Sequence, residues 1–579
     1  MGSNLTLYQM ILIPNISNEV ELQAAAAGQG VRRGSARDGI IAAASAPTTM
    51  SGLDPQERLN AARRMSHGEQ IARIARKLPA KVAFRFLGEQ RTFAELDRRV
   101  TRLARALAER GVEFGDRVAV LLPNGLEIVE AYFAITRLGA ICVPINFRLV
   151  AHEVAHIARD SGARALILHE ELAEVGAKAR AELPALGFCL VVGSSTAVAG
   201  ADAELYEQAL AHASDAPLAL DVPEHAPAFI MYTSGTTGRP KGAVLSHFNL
   251  IMNTMNSMIE MGIRGSEEVW LSGLPLFHIG ALNGILNYVM SGGTSVIQPT
   301  GHFDAAEVVD QLERERITGA FFVASQWQAI CAVPGVRKRK FSLRRIAWGA
   351  SSALPSVLQA MAETFPGVPM YTFFGQTEMS SVTTMLDGKD AIRKRGSVGQ
   401  PVINVELRIV DDEMRDVPRG EAGEVVYRAP TVMQGYWNDP EATAEAFAGG
   451  WFHSGDICRM DEEGYLTVVD RKKDMIISGG ENIYSAEVEA AIESHPEVRE
   501  VAVIAVPDPK WMETPKAVIV PRDPAHPPSP AEIIAHCAER LASYKKPSSV
   551  VIADELPRNA SGKVLKTVLR EKYVGEPIN

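Results

Sequence analysis

Cysteine is scarce in this sequence, and its few cysteines are scattered. The chain has 579 residues and five cysteines, at positions 142, 189, 331, 458 and 537. No two of them lie at the spacing of a metal site, and an odd number argues against a framework of disulfides. The sequence therefore predicts a protein of a reducing compartment, and a cytoplasmic location is expected.

Long apolar runs and an excess of basic residues are also lacking. No run approaches the roughly 18 apolar residues that cross a bilayer, and the first residues lack the basic-then-apolar order of a secretory signal. The net charge is −10, whereas a nucleic-acid-binding protein usually carries a basic excess. We therefore expect small-molecule partners and no nucleic acid. A peripheral contact with membranes and a homo-oligomer both stay open.

The chain is too long for a single core, and its composition divides it into three parts. Residues 1–60 are rich in small, polar and helix-breaking residues, which predicts a disordered extension. A large domain is expected over 66–470. A compact unit of helices and strands follows over 471–579 and predicts a small, mobile C-terminal domain.

Helical and strand patterns alternate through the large domain. The segments 96–107 and 126–140 have helical spacing, and 117–123 reads as a buried strand. Further short strands are predicted at 228–232, 320–325 and 345–350, each followed by small or polar residues. This rhythm predicts an α/β fold of helix-covered, mostly parallel sheets, with ligands beyond the carboxyl ends of the strands.

The segment TSGTTGRPKGA at 233–243 follows one of these predicted strands. Its glycines allow a close approach of backbone N–H groups to an anion, and its hydroxyls and Lys241 add donors and charge. It does not match the GxxxxGK[ST] phosphate loop. Taken by itself, the segment is either a phosphate-binding loop or an ordinary polar turn.

Six further segments occur in a fixed order after it: PLFH at 275–278, FFGQTE at 373–378, GYWNDPEAT at 435–443, WFHSGD at 451–456, DRKKDMIISGGENIY at 470–484 and LPRNASGKVLK at 556–566. Over about 66–570 the chain resembles the acyl-adenylate-forming enzymes. Within them it is most similar to bacterial, particularly mycobacterial, fatty-acid–CoA ligases. The resemblance implies two steps: a carboxylate reacts with ATP to give acyl-AMP and pyrophosphate, and coenzyme A then takes the acyl group.

The resemblance also implies roles for individual residues. Glu378, together with Thr236, would hold Mg²⁺, and Lys563, Thr236, Glu378 and Lys241 would be catalytic. Asp456 and Arg471 would reach the ribose. The full set expected to bind ATP or AMP is Thr233, Ser234, Gly235, Thr236, Thr237, Gly238, Lys241, Gly349, Ala350, Ser351, Thr372, Phe373, Phe374, Gly375, Gln376, Thr377, Asp456, Arg471 and Lys563.

Two orientations of the small domain are implied as well. In the first, Lys563 would bridge the carboxylate and the α-phosphate during adenylation. In the second, after rotation about Lys473, the segment SGGEN at 478–482 would replace it. The tunnel for coenzyme A would then be bordered by His278, Ser478, Gly479 and Gly480.

The expected walls of the acyl pocket contain His278, Gly280 and Trp348 and lack Asp and Glu, which argues against an amino-acid substrate. Small residues at 280, 281 and 284 favour a deep apolar channel for a fatty acid. An aromatic acid between Trp348, Phe321 and Phe322 is the alternative. Because no carrier domain follows the small domain, free coenzyme A is the expected acceptor, with a separate acyl carrier protein as the other candidate.

One departure from the family pattern concerns the small domain. Met512 stands where the family often has glycine, just before Glu513. No catalytic charge is missing, which argues against a third hypothesis, a catalytically silent protein that only binds acyl-AMP or lipid.

Overall fold

The structure is a computed structural model, and it describes residues 55–197, 202–218, 220–233, 240–301, 303–349, 353, 355–394, 396–471, 475–557, 564 and 566–573. Of the predicted extension 1–60, residues 1–54 lie outside the described residues, and a helix begins at residue 55. All described residues belong to one compact unit.

The described strands, numbered in chain order, are β1 (Val82–Phe86), β2 (Glu89–Thr92), β3 (Arg117–Leu121), β4 (Ile141–Pro144), β5 (Ala163–His169), β6 (Phe188–Val192), β7 (Ala203–Leu205), β8 (Pro227–Thr233), β9 (Lys241–Ser246), β10 (Val269–Ser272), β11 (Thr294–Ile297), β12 (Gly319–Phe321), β13 (Arg345–Gly349), β14 (Met370–Gln376), β15 (Ser381–Asp387), β16 (Ser397–Pro401), β17 (Glu406–Val410), β18 (Ala422–Arg428), β19 (Gly435–Tyr436), β20 (Phe452–Met460), β21 (Leu466–Arg471), β22 (Met475–Ser478), β23 (Glu481–Tyr484), β24 (Val498–Asp508), β25 (Met512–Pro521) and β26 (Ser549–Ile552).

The described helices are α1 (Pro55–Ala62), α2 (Gln70–Lys77), α3 (Phe93–Glu109), α4 (Leu126–Arg137), α5 (Ala151–Ser161), α6 (Ala173–Ala181), α7 (Tyr206–His212), α8 (His247–Met261), α9 (Ile279–Ser291), α10 (Ala305–Arg314), α11 (Ala324–Ala332), α12 (Pro355–Thr364), α13 (Gly388–Ala391), α14 (Pro440–Ala446), α15 (Ser485–Glu493), α16 (Pro530–Ala538) and α17 (Lys566–Tyr573).

Three sheets carry this mixed α/β fold, as the sequence predicts. The largest has the order β17-β18-β20-β21-β16-β15-β14-β13-β12-β10-β11-β1-β2, and the second has the order β19-β9-β8-β4-β3-β5-β6-β7. The strands from β8 to β7 in the second sheet are parallel, and so are β14-β13-β12-β10-β11-β1 in the first. Antiparallel strands extend each parallel segment. The predicted parallel core is therefore present, with antiparallel flanks.

The strands after residue 474 form their own sheet. β23, β22, β25 and β24 pair antiparallel, and β26 adds a parallel strand beside β25. The helices α15 and α16 pack on this sheet around Ile476, Val503 and Ile533, which are all fully buried. The boundary that the sequence places at 470 falls at the end of β21. The smaller C-terminal part thus has a hydrophobic core of its own.

Local sequence explains where the helices around the site begin and end. Thr92 caps α3 and forms a reciprocal capping box with Glu95. Ser246 caps α8 in the same way, and Gly262 ends that helix in the left-handed conformation, at φ 62°. Helix α9 begins at Ile279, directly after the PLFH segment.

Among the described residues, no helix is long and apolar enough to cross a bilayer. No disulfide joins the five cysteines, which all lie in the described ranges.

Candidate active site

A cavity of about 1060 Å³ lies where several strands of the large part end. Thr233 at the end of β8, Gly349 at the end of β13 and Gln376 at the end of β14 all line it. Polar residues therefore follow buried strands at one common opening, as expected for an α/β sheet. The cavity is continuous from this polar end to an apolar end beside α9.

The polar end is organised around the carboxylate of Glu378. Its Oε1 atom accepts hydrogen bonds from Thr233 Oγ1, at 3.2 Å, and from the hydroxyl of Tyr436, at 3.0 Å. The ammonium of Lys241 lies 5.2 Å from the centroid of the Tyr436 ring. Glu378 itself is buried. One carboxylate, one ammonium and two hydroxyls thus meet at one place, although their positions span about two hundred residues of sequence.

The described residues on the two sides of the predicted phosphate loop meet at this cluster. β8 and β9 are antiparallel neighbours, and Thr233 pairs with Lys241 in their register. Gly242 is needed here because a Cβ atom on it would lie 2.6 Å from Ile230 and 3.1 Å from Tyr232. The two ends of the predicted phosphate loop are therefore held together at the cavity wall.

No cluster of three or more His, Cys, Asp or Glu side chains among the described residues could hold a metal ion by itself. Glu378 offers a single carboxylate. That donor set fits Mg²⁺, which is commonly held by one or two carboxylates together with substrate phosphates.

The segment 372–377 lines the cavity beside Glu378. Six residues of this segment, all from the set that the resemblance implies for ATP or AMP, contribute to the cavity wall: Thr372, Phe373, Phe374, Gly375, Gln376 and Thr377. Gly375 allows the close approach of β15, because a Cβ atom on it would lie 1.8 Å from the carbonyl oxygen of Ser381. Gln376 Nε2 is buried and finds no hydrogen-bond partner within the described chain. A nucleotide base could accept a hydrogen bond from it.

Asp456 lies at the far wall of the polar end. Its side chain is buried and lines the cavity, and its backbone N–H donates to Ser454 Oγ at 3.0 Å. Asp456 and Arg471 are direct partners in the antiparallel pairing of β20 with β21. The two residues predicted to reach the ribose are therefore neighbours in the sheet.

The smaller C-terminal part reaches the cavity through Ile477, Gly480 and Glu513, and Glu481 follows Gly480 directly in the chain. Gly480 lines the cavity, and Glu481 Oε2 lies 3.0 Å from His278 Nε2. The other carboxylate oxygen of Glu481 accepts a hydrogen bond from Arg148. Burial alone would raise the pKa of Glu481, but His278 and Arg148 outweigh it and lower the pKa to about 2. Glu481 is therefore ionised at neutral pH.

Two neighbours of Gly480 are placed differently from the prediction. Ser478 is buried beside Met512, and Gly479 is exposed under the ring of Trp511; neither lines this cavity. Side chains alternate between the two faces of β22, which directs Ser478 away from the cavity, and the tight turn to β23 directs Gly479 away from it. Met512 adopts φ 70°, a left-handed conformation that glycine adopts without strain, at the position where the family often has glycine.

Further contacts join the two parts near Arg148. Asn146 Nδ2 donates to the hydroxyl of Tyr544 at 3.0 Å, and the Arg148 guanidinium lies 5.7 Å from the centroid of the Tyr544 ring. Lys545 Nζ lies 3.1 Å from Glu153 Oε1 and 2.6 Å from Glu487 Oε1. The orientation of the smaller part is thus fixed by buried polar contacts as well as by packing.

The apolar end of the cavity follows one face of α9. Ile279, Gly280, Asn283, Gly284 and Asn287 line it, at the spacing of a single helical stripe. Gly280 leaves room beside the helix, whereas the missing side chain of Gly284 makes space for the ring of Trp270, which lies 3.1 Å from the point where a Cβ atom would stand. Ala281 was expected to share this role, but it lies off the stripe and packs into the core.

Aromatic rings form much of the remaining wall of the apolar end. Trp270, Phe321, Trp348 and Phe373 line the cavity, and the rings of Phe321 and Phe373 are near parallel with centroids 6.4 Å apart. Phe322 was predicted to share this wall, but that was wrong. Successive residues of an extended segment point to opposite sides, and Phe322 packs edge-on against Trp327 in the core.

Several predicted site residues lie outside the described residues: Ser234, Gly235, Thr236, Thr237, Gly238, Ala350, Ser351, Lys473 and Lys563. Their roles stay predictions. Conversely, no role was predicted for Arg148, Tyr436 or the asparagines of α9. Asn283 and Asn287 could have been found, because they continue the helical spacing of Gly280; Arg148 carried no such signal.

Comparisons with known proteins agree with this geometry. The family model for the AMP-binding enzymes matches residues 71–437, and the model for the C-terminal domain of AMP-binding enzymes matches 487–563. A feruloyl-CoA synthase of an Amycolatopsis species is 41% identical, over 87% of this chain and 99% of that protein. A long-chain-fatty-acid–CoA ligase of Mycobacterium tuberculosis is 37% identical, over 83% of this chain and 93% of that protein.

One solved enzyme resembles the structure in two states. A double mutant of o-succinylbenzoate CoA synthetase from Bacillus subtilis, bound to a product analogue, superposes with a TM-score of 0.77 at 32% identity and covers 88% of this chain and 99% of its own. The same synthetase with its acyl-adenylate intermediate gives a TM-score of 0.64 at 32% identity, covering 89% of this chain and 100% of its own.

Proposed function

The chain belongs to the AMP-binding enzymes and is an AMP-forming acid–CoA ligase, and on that premise we propose that its acid is aromatic. The observation that carries this proposal is the shape of the apolar end of the cavity. Flat rings from Trp270, Phe321 and Trp348 bound a slot beside Gly280 of α9, and the Trp270 ring packs against the same helix at Gly284. A flat ring fills such a slot with good contact on both faces. The similarity to a feruloyl-CoA synthase supports the same substrate class.

A fatty acid, which the sequence favoured, is the competing substrate. The mycobacterial relative supports it, but the rings and the asparagines of α9 describe a bounded slot rather than a long apolar channel. Among the described residues, neither Asp nor Glu lines the apolar end, and the cost of burying an unpaired ammonium argues against an amino-acid substrate.

In the first step, a carboxylate oxygen of the acid attacks the α-phosphorus of ATP, and pyrophosphate leaves. Both partners are anionic, so the protein must hold them together and offset their charge. Lys241 and the loop at 233–241 would hold the β- and γ-phosphates, and Lys563 would bridge the two reacting groups. Mg²⁺ held by Glu378 and Thr236 would neutralise further phosphate charge.

Asp456 is suited to the ribose. A buried carboxylate at the cavity wall can accept hydrogen bonds from the two ribose hydroxyls, and Arg471 is its neighbour in the sheet. Gln376 Nε2, together with the segment 372–375, would face the base. The nucleotide would therefore extend from Asp456 to Thr233, with its α-phosphate near Glu378.

In the second step, the sulfur of coenzyme A attacks the acyl carbon, the thiol loses its proton and AMP leaves. We propose that the described arrangement is the one that serves this step. Gly480 lines the cavity and Glu481 contacts His278, where the resemblance implies the tunnel for coenzyme A. The higher TM-score to the product-analogue state than to the acyl-adenylate state supports the same assignment.

A panel of acids tests the proposal. Purified protein would be incubated with ATP, Mg²⁺ and coenzyme A, and with cinnamates, benzoates or fatty acids of increasing length. We expect AMP, pyrophosphate and an acyl-CoA from the aromatic acids, with kcat/KM well above that of any fatty acid. A higher kcat/KM for a long-chain acid would overturn the aromatic assignment. Transfer to an acyl carrier protein in preference to coenzyme A would overturn the assigned acceptor.

A further inference from the structure

The stripe on α9 ends at a polar side chain deep in the cavity. From Gly280 to Asn287 the helix rises about 10 Å, at 1.5 Å per residue. The stripe starts at His278, beside the contact with the smaller C-terminal part, so Asn287 lies at the far end of the acyl slot. Asn287 is only 1% exposed and lines the cavity.

The preceding asparagine on the stripe is fully engaged by the protein. Asn283 Nδ2 donates to Asn253 Oδ1 at 2.7 Å, and Asn283 Oδ1 accepts from Ser257 Oγ at 3.2 Å. Asn253 in turn donates to the carbonyl oxygens of Met379 and Val382. This network joins α8 to α9 and has a structural explanation that needs no ligand.

No such hydrogen-bond network explains the burial of Asn287. Its Oδ1 atom is buried and finds no hydrogen-bond partner within the described part of the chain. The indole Nε1 of Trp270 is also buried and without a partner among the described residues. Both residues line the cavity, and Trp270 Nε1 lies 3.1 Å from the point where a Cβ atom on Gly284 would stand, one helical turn before Asn287.

We propose that Asn287 and Trp270 form a subsite for a hydroxyl group at the far end of the acid. This proposal rests on the proposed function and narrows its substrate class to hydroxylated aromatic acids. A phenolic hydroxyl is both donor and acceptor. It would donate to Asn287 Oδ1 and accept from Trp270 Nε1, so that one group satisfies both buried atoms.

The same geometry discriminates against acids without the hydroxyl. A buried polar atom that meets only hydrocarbon loses its hydrogen bond to water and gains none in return. A site built to bind a hydroxyl therefore rejects the analogue that lacks it more strongly than an apolar pocket rejects an extra hydroxyl. We expect kcat/KM for trans-4-hydroxycinnamate to exceed that for trans-cinnamate by about 10- to 100-fold.

The test compares these two acids in the wild type and in Asn287→Leu, a substitution of similar volume without the amide. ATP–pyrophosphate exchange measures adenylation of each acid. We expect the preference for the hydroxylated acid to disappear, mainly because its kcat/KM falls, while trans-cinnamate is used as well as before or better. Trp270→Phe keeps a ring beside Tyr288 and removes the indole N–H. If Asn287→Leu does not fold, Trp270→Phe gives a second measurement of the ratio of kcat/KM between the two acids.

Asn256→Leu is the matched control. Asn256 lies in the neighbouring helix α8, is fully buried, and does not line the cavity. Its variant is expected to keep the wild-type ratio between the acids. An unchanged ratio in Asn287→Leu and Trp270→Phe, or equal use of both acids by the wild type, would overturn the subsite but leave the proposed function standing. Adenylation of neither acid, with activity on fatty acids, would overturn both.

Discussion

The carboxylate of Glu481 lies 3.0 Å from His278 Nε2, although 203 residues separate them in the chain. Glu481 begins an edge strand of the smaller C-terminal sheet, and His278 directly precedes α9 at the mouth of the acyl slot. A second contact joins Glu481 to Arg148. The orientation of the smaller part is therefore coupled to His278, which the proposed function places at the entrance for the thiol.

Glu481→Gln tests this coupling. The amide carries no charge and keeps one acceptor oxygen in place of two, so we expect thioester formation from supplied acyl-AMP to slow about tenfold or more. Adenylation, followed by ATP–pyrophosphate exchange, should stay within about twofold of wild type, because it uses the other orientation. Glu493→Gln, an exposed position in α15, is the control. Equal loss of both half-reactions would contradict the coupling.

Lys563→Ala tests the complementary orientation. The lysine is expected to bridge the carboxylate and the α-phosphate only during adenylation. Its loss should therefore lower the exchange rate by about 100-fold or more, and should spare thioester formation from supplied acyl-AMP. Stopped assays of each half-reaction on one preparation give both rates. A variant that loses both to the same extent would argue against the two-orientation mechanism.

Glu378→Gln removes the charge at the polar end but keeps the local hydrogen bonds. The amide oxygen can still accept from Thr233 and Tyr436, so the melting temperature should change little. We expect kcat for adenylation to fall about 100-fold, and more Mg²⁺ to be needed for half-maximal rate. Glu441→Gln, on an exposed position of α14, controls for the loss of one negative charge. Activity within twofold of wild type would remove Glu378 from the mechanism.

Gly280→Ala tests the acyl slot. A Cβ atom there would lie 3.6 Å from Leu274, an ordinary contact, so the protein itself can accommodate the methyl group. Alanine also favours the helix, and thermal stability should be equal or slightly higher. The methyl group narrows the slot, and kcat/KM for a cinnamate should fall about tenfold while KM for ATP is unchanged. Unaltered kinetics with cinnamate would place the acid elsewhere in the cavity.

Glu487 should make stability depend on pH. Burial, aided by the nearby charge of Glu153, raises its pKa from 4.5 to about 7 despite the opposing effect of Lys545. The folded-state pKa of Glu487 is above the unfolded value, so protonation of Glu487 stabilises the folded state. This contribution to the free energy of unfolding is fully present below about pH 4.5 and is lost as the pH rises through 7. Relative to Glu487→Gln, the wild type should lose about 1–2 kcal/mol of unfolding free energy between about pH 5.5 and 8. Urea unfolding at both values measures the difference, and parallel changes in the two proteins would contradict the shift.

Much of the nucleotide end could be predicted from short segments. The positions of Thr233, Glu378 and Asp456 follow from motifs at the ends of strands, and the structure brings all three to one cavity. Such segments combine a buried strand with the polar residues that follow it. The local sequence therefore indicates both where a functional side chain lies in the fold and which chemical group it carries. The start of α9 after PLFH was predictable for the same reason.

Predictions that needed the direction of a side chain fared less well. Phe321 and Phe322 are equally apolar neighbours, and only the pairing of β12 in its sheet decides which ring faces the cavity. Ala281 is small, like the nearby Gly280 and Gly284, and size alone does not separate the three residues. The turn of the helix points Ala281 into the core instead of the cavity.

The sequence by itself determined the family, the order of the chemical groups and the two-step reaction class, because these depend on residue types in short contiguous segments. Only the tertiary structure decided what the acyl slot can recognise and which residues couple the two parts. Two features depend on which distant segments pack together: Asn287 Oδ1 has no hydrogen-bond partner among the described residues, and Arg148, His278 and Glu481 meet. Hydrogen bonding and burial are properties of that packing, and no single segment contains them.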